Sequence, residues 1–208
     1  MRKYIRKNYT TIMDNEYWQK YYENNTVENG IPTPSPFALF VKSRLPKAEF
    51  VLDYGCGNGR DTYYFGQHHT CIGLDPANKP PSTDWAVFYK QTLQEYNHIG
   101  EPFDLIYSRF SLHSVPEEEE NYFLKFASNN CQYIAIECRT KNDKLNDGTD
   151  RIKTDYATEH YRRFIDMNEL EQKLIKLGFR IIYSEESTEF APYKGTKPSC
   201  LRIIAIND

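Results

Sequence analysis

No CxxC pair occurs anywhere in the chain. Its five cysteines, Cys56, Cys71, Cys131, Cys138 and Cys200, are scattered and odd in number, so neither a disulfide framework nor a zinc site is expected. No His/Asp/Glu set has the spacing of a metal site either. No apolar run approaches the roughly 18 residues that span a bilayer. The basic opening "MRKYIRKNYT" lacks the apolar segment of a secretory signal. An excess of one charge is also missing: 26 Lys and Arg stand against 29 Asp and Glu, a net of −3. That balance argues against a general electrostatic role on nucleic acid or an acidic membrane. Nothing repeats, and no segment is of low complexity. The expectation is a soluble, cytoplasmic protein of a reducing compartment, without nucleic acid, membrane insertion or metal.

What the chain does have is aromatic: 17 Tyr and 12 Phe supply large apolar area. Its 208 residues fit one domain with a full core. Residues 1–45 stand apart, rich in Tyr, Asn and Lys, with a helix expected over "MDNEYWQKYYEN". A proline-punctuated link, "IPTPSPF", then precedes "ALFVKSRL". From residue 46 to 208 strand and helix alternate. "EFVLDY", "TCIGLD", "WAVFY", "FDLIYS" and "QYIAIEC" read as strands, and "GRDTYYFGQ" and "PEEEENYFLKFAS" as helices. Proline at the first helical position and acids in the first turn favour the start of the latter. "DMNELEQKLIKLGF" is the best-defined helix: Asp166 and Glu169 fit a capping box, and Gly178 suits a left-handed C′ position. Alternation of this kind implies a parallel sheet covered on both faces. The last two strands, "FRIIYSEE" and "CLRIIAI", lack a helical spacer and predict a closing antiparallel hairpin.

The first strand-to-helix turn decides the ligand class, because ligands of open parallel sheets bind at the carboxyl ends of the strands. It reads Asp53-Tyr54-Gly55-Cys56-Gly57-Asn58-Gly59-Arg60. A dinucleotide turn wants G-x-G-x-x-G; here the third glycine comes one residue early and Arg60 holds its place. An acid two residues before the first glycine would oppose a pyrophosphate. It suits a ligand with a cationic group instead, and Asp75 at the end of the second strand can accept two ribose hydroxyls. Cys56 reads as a small packing residue, not a nucleophile.

"VLDYGCGNGRDTYYF", "GLD" and "FDLIYSRFSLH" resemble the class I methyltransferase family that uses S-adenosylmethionine and releases S-adenosylhomocysteine. The resemblance implies a Rossmann-like α/β/α sandwich with a seven-stranded sheet in the order 3-2-1-4-5-7-6, strand 7 antiparallel. It also implies cofactor contacts from Asp53, Gly55, Cys56, Gly57 and Gly59 along the methionine part. Asp75 would hold the ribose and Gln91 the adenine edge, with Ser108 and Phe37 nearby.

The acceptor side should draw on the ends of the fourth and fifth strands and the loops beyond. His113 and Glu137 are the candidate catalytic residues there. Imidazole titrates near neutrality, and a charge ending an apolar strand is costly unless it is paired or used. Arg109, Arg139, His160, Arg162 and Arg163 are candidate substrate-binding residues. "YSRFSLH", "IECRT" and "HYRRF" look like methyltransferase modules of surface-polysaccharide biosynthesis. That implies a sugar hydroxyl in a glycan or glycan precursor as acceptor, with association with glycosyltransferases. A small thiol, amine or metalloid acceptor is the alternative within the fold, and a non-catalytic binding module the alternative outside it. Trp18, Tyr21 and Tyr22 on the first helix are read as a lid that completes the acceptor pocket, or as core or dimer contacts.

Overall fold

The short apolar runs around the glycine turn become the centre of one twisted sheet. β1 (Phe50–Tyr54) pairs in parallel with β2 (Thr70–Leu74) on one side and β4 (Phe103–Arg109) on the other. β3 (Ala86–Tyr89) lies outside β2, and β5 (Cys131–Arg139) outside β4, both parallel. β9 (Cys200–Asn207) runs antiparallel between β5 and β8 (Phe179–Ser187). The order β3-β2-β1-β4-β5-β9-β8 is the one the resemblance implied, with the terminal hairpin closing the sheet.

This computed structural model describes residues 15–24, 33–67, 69–149, 151–153, 159–193 and 195–207, with backbone alone for 151–153 and 159. The basic first ten residues and the start of the first predicted helix lie outside the described residues. Residues 15–24 form helix α1.

Alternation along the strands divides the core. Val51, Cys71, Leu105, Tyr107, Ala135 and Ile204 face α2 (Pro36–Arg44) and α3 (Arg60–Phe65). Leu52, Leu74, Ile106, Ile134 and Ile203 face α4 (Glu117–Asn130) and α5 (Met167–Lys176). α2 begins because the Ser35 hydroxyl accepts the Ala38 N–H and Pro36 takes the first turn. Its Phe37, Ala38 and Val41 are fully buried, so the boundary expected at residue 45 falls inside the body of the domain. α5 keeps half of its capping box: Asp166 accepts the Glu169 N–H, but the Glu169 carboxylate turns to Lys141. Gly178 takes the left-handed position after α5 at φ 97°.

One element went unread in the sequence. β6 (Arg151–Lys153) and β7 (Glu159–Tyr161) form a separate antiparallel pair beside the carboxyl end of β5. Thr140 bridges in parallel to Ile165 just beyond it. The same edge of the sheet carries the ends of β1, β2 and β4, where the polar residues gather.

Candidate active site

The turn after β1 is pinned to the end of β2. The N–H groups of Gly55 and Cys56 both donate to the Leu74 carbonyl. The Gly57 N–H donates to Asp75 Oδ2 at 3.0 Å, and Asn78 Nδ2 donates to the Gly57 carbonyl. All three glycines of the turn are sterically required, and two of them bear directly on the site. Gly55, at φ 73°, leaves no room for a side chain against Ser111, whose hydroxyl donates to the Tyr54 carbonyl. A Cβ on Gly57, at φ 55°, would meet the Tyr22 hydroxyl. Cys56 is buried and its thiol is pushed well up by burial and by Asp53 and Asp75, in keeping with packing and not nucleophilic chemistry.

Three buried carboxylates crowd this turn. Asp61 accepts from the Ser35 N–H, the Ser35 hydroxyl and the Tyr107 hydroxyl, a fully engaged structural acid. Asp75 accepts the N–H groups of Ala77 and Asn78 on its other oxygen, which holds the carboxylate in place. Asp53, 2% exposed, accepts one bond from the Thr62 hydroxyl on Oδ2 and, among the described residues, none on Oδ1. Burial, with Asp61 and Asp75 adding repulsion, pushes the Asp53 carboxyl up to about 8. A cradle of three crowded acids, one of them with an oxygen that accepts no bond from the described residues and ready to lose its proton beside a cation, fits a ligand bearing an ammonium and a sulfonium. S-adenosylmethionine has both. It does not fit a pyrophosphate.

On the acceptor side the sequence-predicted residues separate. Glu137, 1% exposed, accepts from Arg109 Nε at 2.8 Å and from Arg202 Nε at 2.6 Å. The three residues are cross-strand neighbours on β4, β5 and β9. Both carboxylate oxygens are therefore held in an ion-pair ladder, which engages Glu137 and Arg109 with each other where a base and an acceptor contact were expected. Arg163 donates to Glu120 and to the Leu112 and Val115 carbonyls, fastening α4 to the segment before α5. Phe37 stacks on Tyr107 with no exposed surface, and so cannot touch a cofactor. Ser108 is fully buried, with its hydroxyl unpartnered among the described residues. Gln91 lies beyond β3 in a groove of about 480 Å³ lined also by Tyr89, Tyr96 and His98.

His113 lies in the single helical turn Leu112–Ser114, 1% exposed. Its Nδ1 accepts the Arg139 backbone N–H at 3.2 Å. Burial, followed by Arg162 and Arg139, lowers its pKa well below the ordinary imidazole value. The ring is therefore neutral, with its proton on Nε2. Arg139 itself bonds Asp143 at 2.9 Å. His160, fully buried on β7, stacks on Tyr17 with ring centroids 4.3 Å apart and meets Trp18 edge-on at 5.4 Å. Arg162 reaches back to His160 Nε2 at 3.0 Å.

Helix α1 spans both halves. Tyr17 and Trp18 cover His160, while Tyr22, five residues on, reaches the glycine turn. Five residues of helix advance about 7.5 Å, so the turn and the His113–His160–Arg162 cluster lie side by side beneath one helix. Nothing in the sequence distinguished Tyr17 from the other tyrosines around it. Arg202 did carry a signal: it is a charge within an apolar strand, the same mark that singled out Glu137.

The family model described as a methyltransferase domain matches residues 34–184. No curated protein matches the sequence. Among solved structures, the Burkholderia thailandensis 1,6-didemethyltoxoflavin-N1-methyltransferase is similar at 20% identity and a TM-score of 0.70, over 96% of this chain and 89% of that one. A S-adenosylmethionine-dependent methyltransferase from Methanosarcina mazei follows at 17% and 0.68, over 84% and 98%. One from Clostridium acetobutylicum stands at 14% and 0.61, over 92% and 98%.

Proposed function

The chain belongs to the methyltransferase-domain family as a class I enzyme dependent on S-adenosylmethionine, and we propose that its acceptor is a small polar molecule already nucleophilic when it binds. The acceptor lies under α1, against His113, His160 and Arg162. Asp53 takes the cofactor's ammonium, the glycine turn its methionine part, Asp75 its ribose and Gln91 its adenine edge. Tyr22 closes over that half as the lid. When bound, S-adenosylmethionine supplies a methyl group on a sulfonium, a good leaving group. Holding the acceptor in line then provides much of the acceleration.

The tautomer of His113 carries this reading. With Nδ1 accepting the Arg139 N–H, the ring presents an N–H donor on Nε2 and no lone pair to take a proton. Glu137 is held by two arginines and Asp143 by Arg139. A neutral sugar hydroxyl, the first expectation from the sequence, needs a base, and these groups do not offer one. The expected glycosyltransferase association loses its basis with it. An amine, ring nitrogen or thiolate needs none, which favours the alternative acceptor class.

A transfer screen with methyl-labelled S-adenosylmethionine tests this, run over matched amines, ring nitrogens, thiols and sugars. Nitrogen or sulfur acceptors should be methylated. A sugar hydroxyl as the best acceptor would overturn the reading.

A further inference from the structure

Arg162 has no carboxylate partner among the described residues. Its Nε is buried and unbonded, and one terminal nitrogen meets only the His160 ring. A ring nitrogen that accepts from a guanidinium carries no proton, so His160 brings no countercharge. The carboxylate whose field acts on Arg162 is Asp143, and that carboxylate bonds Arg139. Two guanidiniums thus share one carboxylate, beside a neutral His113 that offers an N–H. Burial and Arg139 bring Arg162 down to about 10, the mark of a cation short of compensation. Burying an uncompensated charge is costly, and a cost of that kind is commonly met by a ligand of opposite sign.

We propose that the acceptor carries an acidic group, a carboxylate or a phosphate, bound by the guanidinium of Arg162 with the His113 Nε2–H alongside. This rests on the methyltransferase reading and narrows it: the acceptor has a nucleophilic atom toward the cofactor and an anionic group toward β7. The planar fork of arginine suits two-point binding of either oxyanion.

Trp18 meets His160 edge-on and is the natural reporter. With Trp85→Phe removing the other of the two tryptophans, the protein is saturated with S-adenosylhomocysteine. It is then titrated with benzoate, phenyl phosphate and the neutral benzamide while Trp18 fluorescence is followed. At least one anion should bind tenfold or more tightly than benzamide, and which one does so identifies the oxyanion. Arg162→Gln should abolish that preference, and Arg162→Lys should keep part of it, with S-adenosylhomocysteine affinity unchanged in both. Equal responses to benzoate, phenyl phosphate and benzamide in the unsubstituted site would overturn the inference without any variant. So would an anion preference that survives Arg162→Gln. Failure to bind S-adenosylhomocysteine would instead sink the underlying methyltransferase reading.

Discussion

The hydroxyl of Tyr22 lies 2.5 Å from where a Cβ on Gly57 would stand. A residue on the first described helix thus occupies space left by a missing side chain on the cofactor turn. Gly57→Ala therefore meets two penalties, a left-handed φ of 55° and a collision with Tyr22. Calorimetry should give at least a tenfold loss of S-adenosylhomocysteine affinity. Adding Tyr22→Ala should recover part of it, because the collision partner is gone while the backbone strain, about 1–2 kcal/mol, remains. No recovery would mean that Tyr22 does not lie on the turn in solution.

If Asp53 takes the cofactor's ammonium, as proposed, binding should release a proton. Its carboxyl, raised to about 8 by burial with Asp61 adding, is protonated in the free protein at neutral pH. An ammonium beside it favours the carboxylate. Calorimetry at pH 7 in buffers of different ionisation enthalpy should show about one proton released per S-adenosylhomocysteine, fading as the pH passes 8. Asp53→Asn should release none. The sign for stability follows. With the folded pKa above the unfolded one, the contribution is full below about 4 and is lost as pH rises through 8.

Glu137→Gln should act on stability, not on proton transfer. It leaves Arg109 and Arg202 buried without the charge they share, and breaking a buried pair costs about 3–5 kcal/mol. Thermal unfolding should show a large drop in Tm. Preserved Tm with abolished turnover would point to a catalytic carboxylate instead.

His113→Ala should lower kcat less than tenfold, since a general base contributes about 10²–10⁴. Its folded pKa lies well below the ordinary value, through burial first and Arg162 next. The neutral ring is thus favoured on folding, and its contribution is full above about 6.5 and lost as pH falls below that. His113→Ala should therefore flatten the acid limb of stability against pH. A loss of kcat beyond a hundredfold would restore His113 as the base.

The seven strands of the main sheet, their order and the places of Asp53 and Asp75 at its edge were legible in the sequence because each rests on local information. Apolar runs end at glycine, left-handed positions demand it, and Asp53 and Asp75 keep fixed offsets from strands that pair in register. The acceptor side was not legible in this way. "EHYRRF" looked like one basic rim, yet a short strand and its exit turn send His160 to α1, Arg162 back to His160, and Arg163 to Glu120. Glu137 and Arg202 are 65 residues apart and become partners only because β9 inserts beside β5. The chemistry of each side chain is set by the sequence. Which charges are neutralised is set by strand pairing and burial, which pair Glu137 with two arginines and leave Arg162 without a carboxylate among the described residues.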